Sequence, residues 1–363
     1  MELSIVILNY NASVFLELCV ESVTRATKNI AVEIIVADND STDDSIARLT
    51  ATYKNVKVLR LDDNYGFSKG NNIAVEQARG EFICLVNPDV IVGENVFESC
   101  LAFAKVKSKT GFIGIKLIDG KGNFLPESKR RVPKPWNAMK KLLGFSSSYY
   151  DNRISENQDG ETEILVGAFM LGRKSVYQQL GGLDERYFMY GEDIDLSYTT
   201  LQQGYQNYYL GSLKAIHFKG ESTIKDTAYK ERFYGAMSLF YDKHYPKGKI
   251  FSGLLKYVLP KFSRSKKPEI ATTHKDQQQL LVTEDPNFKP DWATEISTFD
   301  NLNTDFTTDA KIIWDVQTLE VDKVIHFMEQ QKESNLIYRF LTADRSAFAG
   351  SDSSHERGEV QKL

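Results

Sequence analysis

The sequence predicts an α/β protein organised on a doubly wound, mostly parallel sheet, and three observations predict it. Short apolar runs at 3–8, 33–37, 56–61 and 81–86 alternate with longer segments of helical period. Each run gives way to polar residues, the pattern of strands whose carboxyl ends face a ligand crevice. The 363 residues are 42% hydrophobic and 26% charged, an ordinary balance for a soluble chain of two domains.

The run at 3–8 is the first strand, and Asn9-Tyr10-Asn11-Ala12-Ser13 is a polar loop that opens a helix over 14–25. The second strand ends in Asp38-Asn39-Asp40-Ser41-Thr42-Asp43. Ser41 or Asp43 caps the helix expected over 44–53, whereas Asp38 lies just past the strand, where its carboxylate can accept from a ligand N–H. After the third strand, the stretch from Asn64 to Asn72, with Gly66, Lys69, Gly70 and Asn71, opens a helix ending near 78. Glycines, a cation and amides at a helix start suit a diphosphate. Their spacing matches neither a P-loop nor a dinucleotide fingerprint, which argues against kinases and dehydrogenases.

The central run begins after Gly80 and is stopped by Asn87-Pro88-Asp89. Proline fixes its own φ and restricts Asn87, so Asp89 is held at the crevice as a hard oxygen ligand suited to Mg²⁺ or Mn²⁺. The tripeptide alone also reads as a turn closing a strand. A helix over 95–107 and a strand over 111–118 with the turn Asp119-Gly120 continue the alternation. Residues 126–162, with Lys129-Arg130-Arg131, Pro133, Pro135-Trp136 and a Ser-Tyr run, read as a long mobile loop. A strand at 163–171 and a helix at 174–180 lead to Gly181-Gly182-Leu183-Asp184-Glu185 and on to Tyr187-Phe188-Met189-Tyr190-Gly191-Glu192-Asp193. Glu192 and Asp193 open a helix over 194–203. They either cap it, or form a half-buried acid pair tuned towards a general base. Strand segments at 207–210 and 215–222, the latter carrying His217, and a helix at 229–244 follow; a lone histidine on an apolar strand reads first as structural.

Four parts are expected: a domain over 1–245, a basic amphipathic segment over 246–267, a polar linker over 268–290 and a small acidic α/β module over 291–363. Residues 247–267 hold seven cations and no acid among large apolar side chains, which fits an anionic membrane surface or a solvated helix face. Residues 268–363 carry 18 acids against 9 bases, and the module is expected to fold separately, with strands at 311–316 and 336–341 around a helix at 321–331. Cys19, Cys84 and Cys100 lack metal or redox spacing and read as buried thiols of a reducing compartment. No run reaches the ~20 residues of a membrane span, and the start lacks signal-peptide features. These features indicate a cytoplasmic protein, peripheral to the inner face of the plasma membrane, with no nucleic-acid partner.

In order, Val6-Ile7-Leu8-Asn9-Tyr10-Asn11, Asp38-Asn39, Asn64-Tyr65-Gly66-Phe67, Asn87-Pro88-Asp89, Gly167-Ala168-Phe169-Met170 and Gly181-Gly182-Leu183-Asp184-Glu185 with Glu192-Asp193 resemble the family-2 inverting glycosyltransferases of the A-type (GT-A) fold. The resemblance covers the first 245 residues and is greatest to the bacterial rhamnosyltransferase branch, which has Asn-Pro-Asp where other branches have Asp-X-Asp. It implies that Asp38 reads a pyrimidine base and that Asp89, helped by His217, holds a divalent cation on the donor diphosphate. It also implies that Asp193 is the catalytic base with Glu192 beside it, and that Asn9, Asn11, Asn39, Gly66, Lys69, Asn71 and Asn87 belong to the donor site. The implied reaction moves a sugar to a hydroxyl of a cell-surface glycan or lipid-linked acceptor, with dTDP-L-rhamnose as donor and a UDP-hexose as the alternative. The rival from another class is a non-catalytic sugar-binding subunit of a polysaccharide assembly.

Overall fold

The computed structural model describes residues 1–134, 149–219, 227–246, 278–302, 310–352 and 358–363. Strands β1 (Leu3–Asn9), β2 (Val32–Asp38), β3 (Lys57–Arg60) and β4 (Phe82–Val86) are parallel, in the order β3-β2-β1-β4. Helices α1 (Ser13–Ala26), α2 (Ser45–Thr52) and α3 (Gly66–Glu76) make the crossovers. Every residue of β1 and β4 is buried, as a parallel sheet covered on both faces requires. The register sets Asn9 opposite Asp38, so the strands present their polar ends at one edge.

The chain continues through β5 (Val90–Val92), α4 (Val96–Val106), β6 (Thr110–Ile118), β7 (Lys129–Arg130), β8 (Gly160–Thr162), β9 (Ile164–Leu165), β10 (Phe169–Arg173), α5 (Lys174–Gln179), α6 (Glu192–Gln202), β11 (Gln206–His217) and α7 (Thr227–His244). The sheet extends as β4-β10-β6-β11-β5, with β10 antiparallel to both neighbours and β11 parallel to β6. The strand expected over 163–171 is two strands, because the Gly167 N–H turns away from the ladder to Asp193. The segments expected at 207–210 and 215–222 fall on one strand, β11, which ends at His217 and whose register slips between Leu210 and Lys214; residues 220–222 lie outside the described residues. Nor are Lys129 and Arg130 part of a mobile loop: they are buried in β7, with Lys129 Nζ donating to the carbonyls of Asp151 and Ile154. Residues 135–148 of that stretch lie outside the described residues.

The C-terminal module is α/β as expected. Strands β12 (Gln278–Val282), β13 (Glu295–Ser297), β14 (Ala310–Trp314), β15 (Ile337–Leu341), β16 (Ala347–Gly350) and β17 (Glu359–Lys362) form a six-stranded sheet ordered β13-β12-β14-β15-β16-β17, with α8 (Val321–Gln330) connecting β14 to β15. β12 falls inside the expected linker and is flanked by two parallel neighbours; its Leu280-Leu281-Val282 run is too short to stand out between polar residues. The module does not stand apart. Leu280, Ile312, Trp314 and Phe340 share one buried cluster with Phe15 and Leu18 of α1, Ile91 of β5 and Ile216 and Phe218 at the end of β11. The basic segment over 247–267 lies outside the described residues. The three cysteines are buried free thiols. No described helix is long and apolar enough to cross a membrane.

Candidate active site

At the carboxyl edge of β1 and β2, Asn9 Nδ2 donates to Asp38 Oδ1 at 3.0 Å and to the hydroxyls of Ser45 at 2.9 Å and Ser41 at 3.0 Å. Asp38 and Asn9 are both buried, so Asn9 fixes the carboxylate for which the family resemblance implies base reading. Asn11 adopts φ 54°, and its Oδ1 accepts from the Thr42 and Asp43 backbone N–H groups, which ties the first loop to the second. Asp43 Oδ1 accepts from the Ser45 N–H at the start of α2. Asn39 bridges to the third loop through Asn64 Oδ1 at 2.9 Å and the Tyr65 N–H at 2.9 Å. Asn71 donates to the Phe67 carbonyl within α3. Asn39 therefore shapes a loop with its amide, whereas Asn71 bonds within its own helix. Lys69 lies over the Tyr65 ring, 3.8 Å from its centre.

Gly66 has φ 77°, and a Cβ there would lie 2.4 Å from the Phe188 carbonyl oxygen. That carbonyl accepts from the Phe67 N–H at 2.6 Å, so the glycine lets the third loop dock on the aromatic stretch before the acid pair. Tyr190 and Gly191 both take positive φ immediately before α6. Asn11, Asp40, Tyr190 and Lys219, four of the five non-glycine residues with positive φ among the described residues, flank this edge; such strain collects at functional sites.

Asp89 follows β4 and is buried, its Oδ1 3.4 Å from Nε2 of His217, the last residue of β11. Pairing of Val90 with His217 and a hydrogen bond from the Phe218 N–H to the Asp89 carbonyl hold the two side chains together. His217 Nδ1 and Asn87 Oδ1 are buried without a hydrogen-bond partner among the described residues. One cation with ligand bonds of ~2.0–2.1 Å can touch both an oxygen and a nitrogen 3.4 Å apart. Among the described residues no group of three or more His, Cys, Asp or Glu side chains converges for a metal, so a cation here would draw its remaining ligands from a diphosphate and water. Beside this pair, Glu127 is ion-paired with Lys219; burial pushes its pKa up, and the Lys219 charge and hydrogen bond outweigh that to leave it below the usual carboxylate range.

Glu192 and Asp193 start α6. Asp193 Oδ2 accepts from Arg130 Nη2 at 2.6 Å and the Gly167 N–H at 3.1 Å, and Oδ1 accepts from the Ile194 N–H at 2.7 Å. A carboxylate oxygen has two acceptor positions, so among the described residues Oδ1 keeps one open. Glu192 is buried, its Oε2 has no hydrogen-bond partner among the described residues, and desolvation plus the neighbouring Asp193 charge push its pKa up to about 8. The pair thus combines one ion-paired carboxylate with one carboxyl that holds its proton near neutrality. Arg130 was not among the residues the sequence singles out for chemistry. Its only signal is the triple-basic run, which by itself reads as solvent-facing.

The model of glycosyl transferase family 2 matches residues 4–181. The N-terminal domain belongs to glycosyl transferase family 2. This glycosyltransferase is similar to N-acetylglucosaminyl-diphospho-decaprenol L-rhamnosyltransferase of Mycobacterium tuberculosis, 29% identical over 244 residues that cover 62% of this chain and 79% of the relative. It is also similar to rhamnosyltransferase WbbL of Escherichia coli, 29% identical over 163 residues, covering 42% of this chain and 61% of that one. Among solved structures, GalNAc-T7 with UDP, GalNAc and Mn²⁺ superposes with a TM-score of 0.51 at 17% identity, covering 67% of this chain and 48% of that chain. The last likeness is one of fold, and the sheet described above is the GT-A sheet. The glycosyltransferase is rhamnosyltransferase-like, as its motifs implied.

Proposed function

We propose that this glycosyltransferase moves L-rhamnose from dTDP-L-rhamnose to a hydroxyl of a lipid-linked or cell-surface glycan acceptor, with inversion at the anomeric carbon. The observation that carries the chemistry is the gathering at one sheet edge of Asn9-held Asp38, the Asp89–His217 pair and the Arg130-held Asp193. The choice of sugar and of a lipid-linked acceptor rests on the two rhamnosyltransferase relatives, one named for a diphospho-decaprenol substrate.

In this reading Asp38 accepts the N3–H of thymine, and Asn9 keeps the carboxylate aimed at it. Asp89 and His217 would hold Mg²⁺ or Mn²⁺, which when bound neutralises charge on the departing diphosphate. Asp193 takes the acceptor hydroxyl proton on the open position of Oδ1 as the oxygen attacks. Arg130 fixes the orientation of that carboxylate, and Glu192, protonated, keeps a second negative charge out of the pocket. The basic segment would rest on the anionic inner leaflet, where lipid-linked acceptors are presented.

Asp38 serves uracil as well as thymine, so a UDP-hexose is the second donor to test. Competition between dTDP-L-rhamnose and UDP-glucose with a polyprenyl-diphospho-N-acetylglucosamine acceptor decides between them. The proposal expects preferential loss of the rhamnose donor; preferential loss of UDP-glucose overturns the donor assignment, and no transfer from either favours a binding subunit.

A further inference from the structure

The strand pair that carries Asp89 and His217 has two faces. Side chains alternate along a strand, so His217 turns to the site while Ile216 and Phe218 turn the other way, as Ile91 does from β5. What covers that other face is the C-terminal module. The Phe218 ring, 1% exposed, lies 5.3 Å from the ring of Phe340 in β15 and 5.1 Å from Phe15 of α1. The same Phe218 donates its N–H to the Asp89 carbonyl at 3.1 Å. One residue thus joins the module core to both members of the cation pair.

Polar ties fix the module in this position. Glu94, two residues past β5, caps α8 by accepting from the Val321 N–H at 2.7 Å and the Asp322 N–H at 3.0 Å. Glu329 of α8 is shared by Lys116 of β6 and Lys214 of β11. At the other flank Lys362 of β17 pairs with Asp44 at 2.8 Å, and Asp44 in turn accepts from the Ser13 hydroxyl. Arg48 of α2 donates to the Ser346 hydroxyl. The loop between β2 and α2 that surrounds Asp38 is therefore held from behind by the same module.

We propose that the C-terminal module is a brace for the donor site, with Phe340 a positioning residue that sets the Asp89–His217 spacing through Phe218. This rests on the donor-site reading above. A closely packed core transmits a displaced ring to its neighbours, and residues in contact couple by amounts that shift an equilibrium several-fold. The module is then part of the catalytic unit, although no motif in it carries chemistry.

The test uses the full chain with two matched substitutions, Phe340→Leu on the face packed against Phe218 and Phe348→Leu on the opposite face, where Phe348 packs with Leu281, Ile313 and Leu341. Titration calorimetry reads dTDP and UDP affinity with and without Mn²⁺, beside the melting temperature of each variant. Both substitutions lower the melting temperature, but only Phe340→Leu weakens the Mn²⁺-dependent part of nucleotide binding, by about fivefold. Glu94→Gln, half-buried and outside the module core, weakens it in the same direction and carries the test if Phe340→Leu does not fold. Equal binding losses in the two leucine variants, or none in Phe340→Leu and Glu94→Gln, overturn the brace. Absence of dTDP and UDP binding in the unaltered protein overturns the donor-site reading itself.

Discussion

Replacing Arg130 with methionine tests whether Asp193 is held as a buried, ion-paired carboxylate. Arg130 is 7% exposed, and its Nη2 reaches both Asp193 Oδ2 and the Leu165 carbonyl at 2.6 Å. Burial opposes its charge, and the Asp193 carboxylate more than offsets that. Methionine fills much of the volume but leaves Asp193 with backbone donors alone. Removing one partner of a buried pair costs about 3–5 kcal/mol, because the other charge stays behind uncompensated. At ~2–4 °C per kcal/mol, melting should fall by roughly 6–20 °C. Adding Asp193→Asn removes the stranded charge, so the double variant should be more stable than Arg130→Met alone. Thermal melts of the three variants at neutral pH measure this. A loss under about 1 kcal/mol in Arg130→Met, or a double variant no more stable than it, would refute the reasoning.

Three further outcomes follow from the site. Asp89→Ala, and chelation of the unaltered protein, should each weaken binding of the diphosphate donor; unchanged affinity in a donor titration under both conditions removes the cation role from Asp89. The Glu192 pKa is raised in the folded state, so the native protein keeps a proton that the unfolded chain gives up, and stability should decline as pH rises from the ordinary carboxyl range of about 4.5 to about 8. Glu192→Gln should flatten that decline in melting temperature against pH; an identical slope in both proteins counts against the burial of an uncharged Glu192. The chain should sediment with anionic vesicles at low salt and be released at high salt, each cation of residues 247–267 adding about 1 kcal/mol at most; no sedimentation at low salt refutes the membrane surface.

Strands β1, β2 and β4 were legible because a strand buried on both faces reads as a near-continuous apolar run, and 5–8, 34–37 and 82–86 are such runs. Their order along the chain also located Asp38 and Asp89, since a strand's carboxyl end is a position that periodicity alone can find. β5 and β12 were not legible: the apolar run of each is three residues, too few to separate a strand from a loop. Arg130 was hidden for a different reason. Its partner lies 63 residues away, and a basic run carries no mark of the charge it will meet. The docking of the C-terminal module was equally invisible, because an apolar stripe such as that of α1 tells that something covers it without telling what.

The measurement that bears most directly on the account compares the unaltered protein with Asp193→Asn, using dTDP-L-rhamnose and a polyprenyl-diphospho-N-acetylglucosamine acceptor. Donor affinity, turnover and the anomeric configuration of the product by NMR are read together. The account predicts an inverted rhamnoside, and in Asp193→Asn an unchanged donor affinity with turnover lower by a factor of about 10² or more. Near-normal turnover in folded Asp193→Asn, or a product that retains the donor configuration, would contradict it.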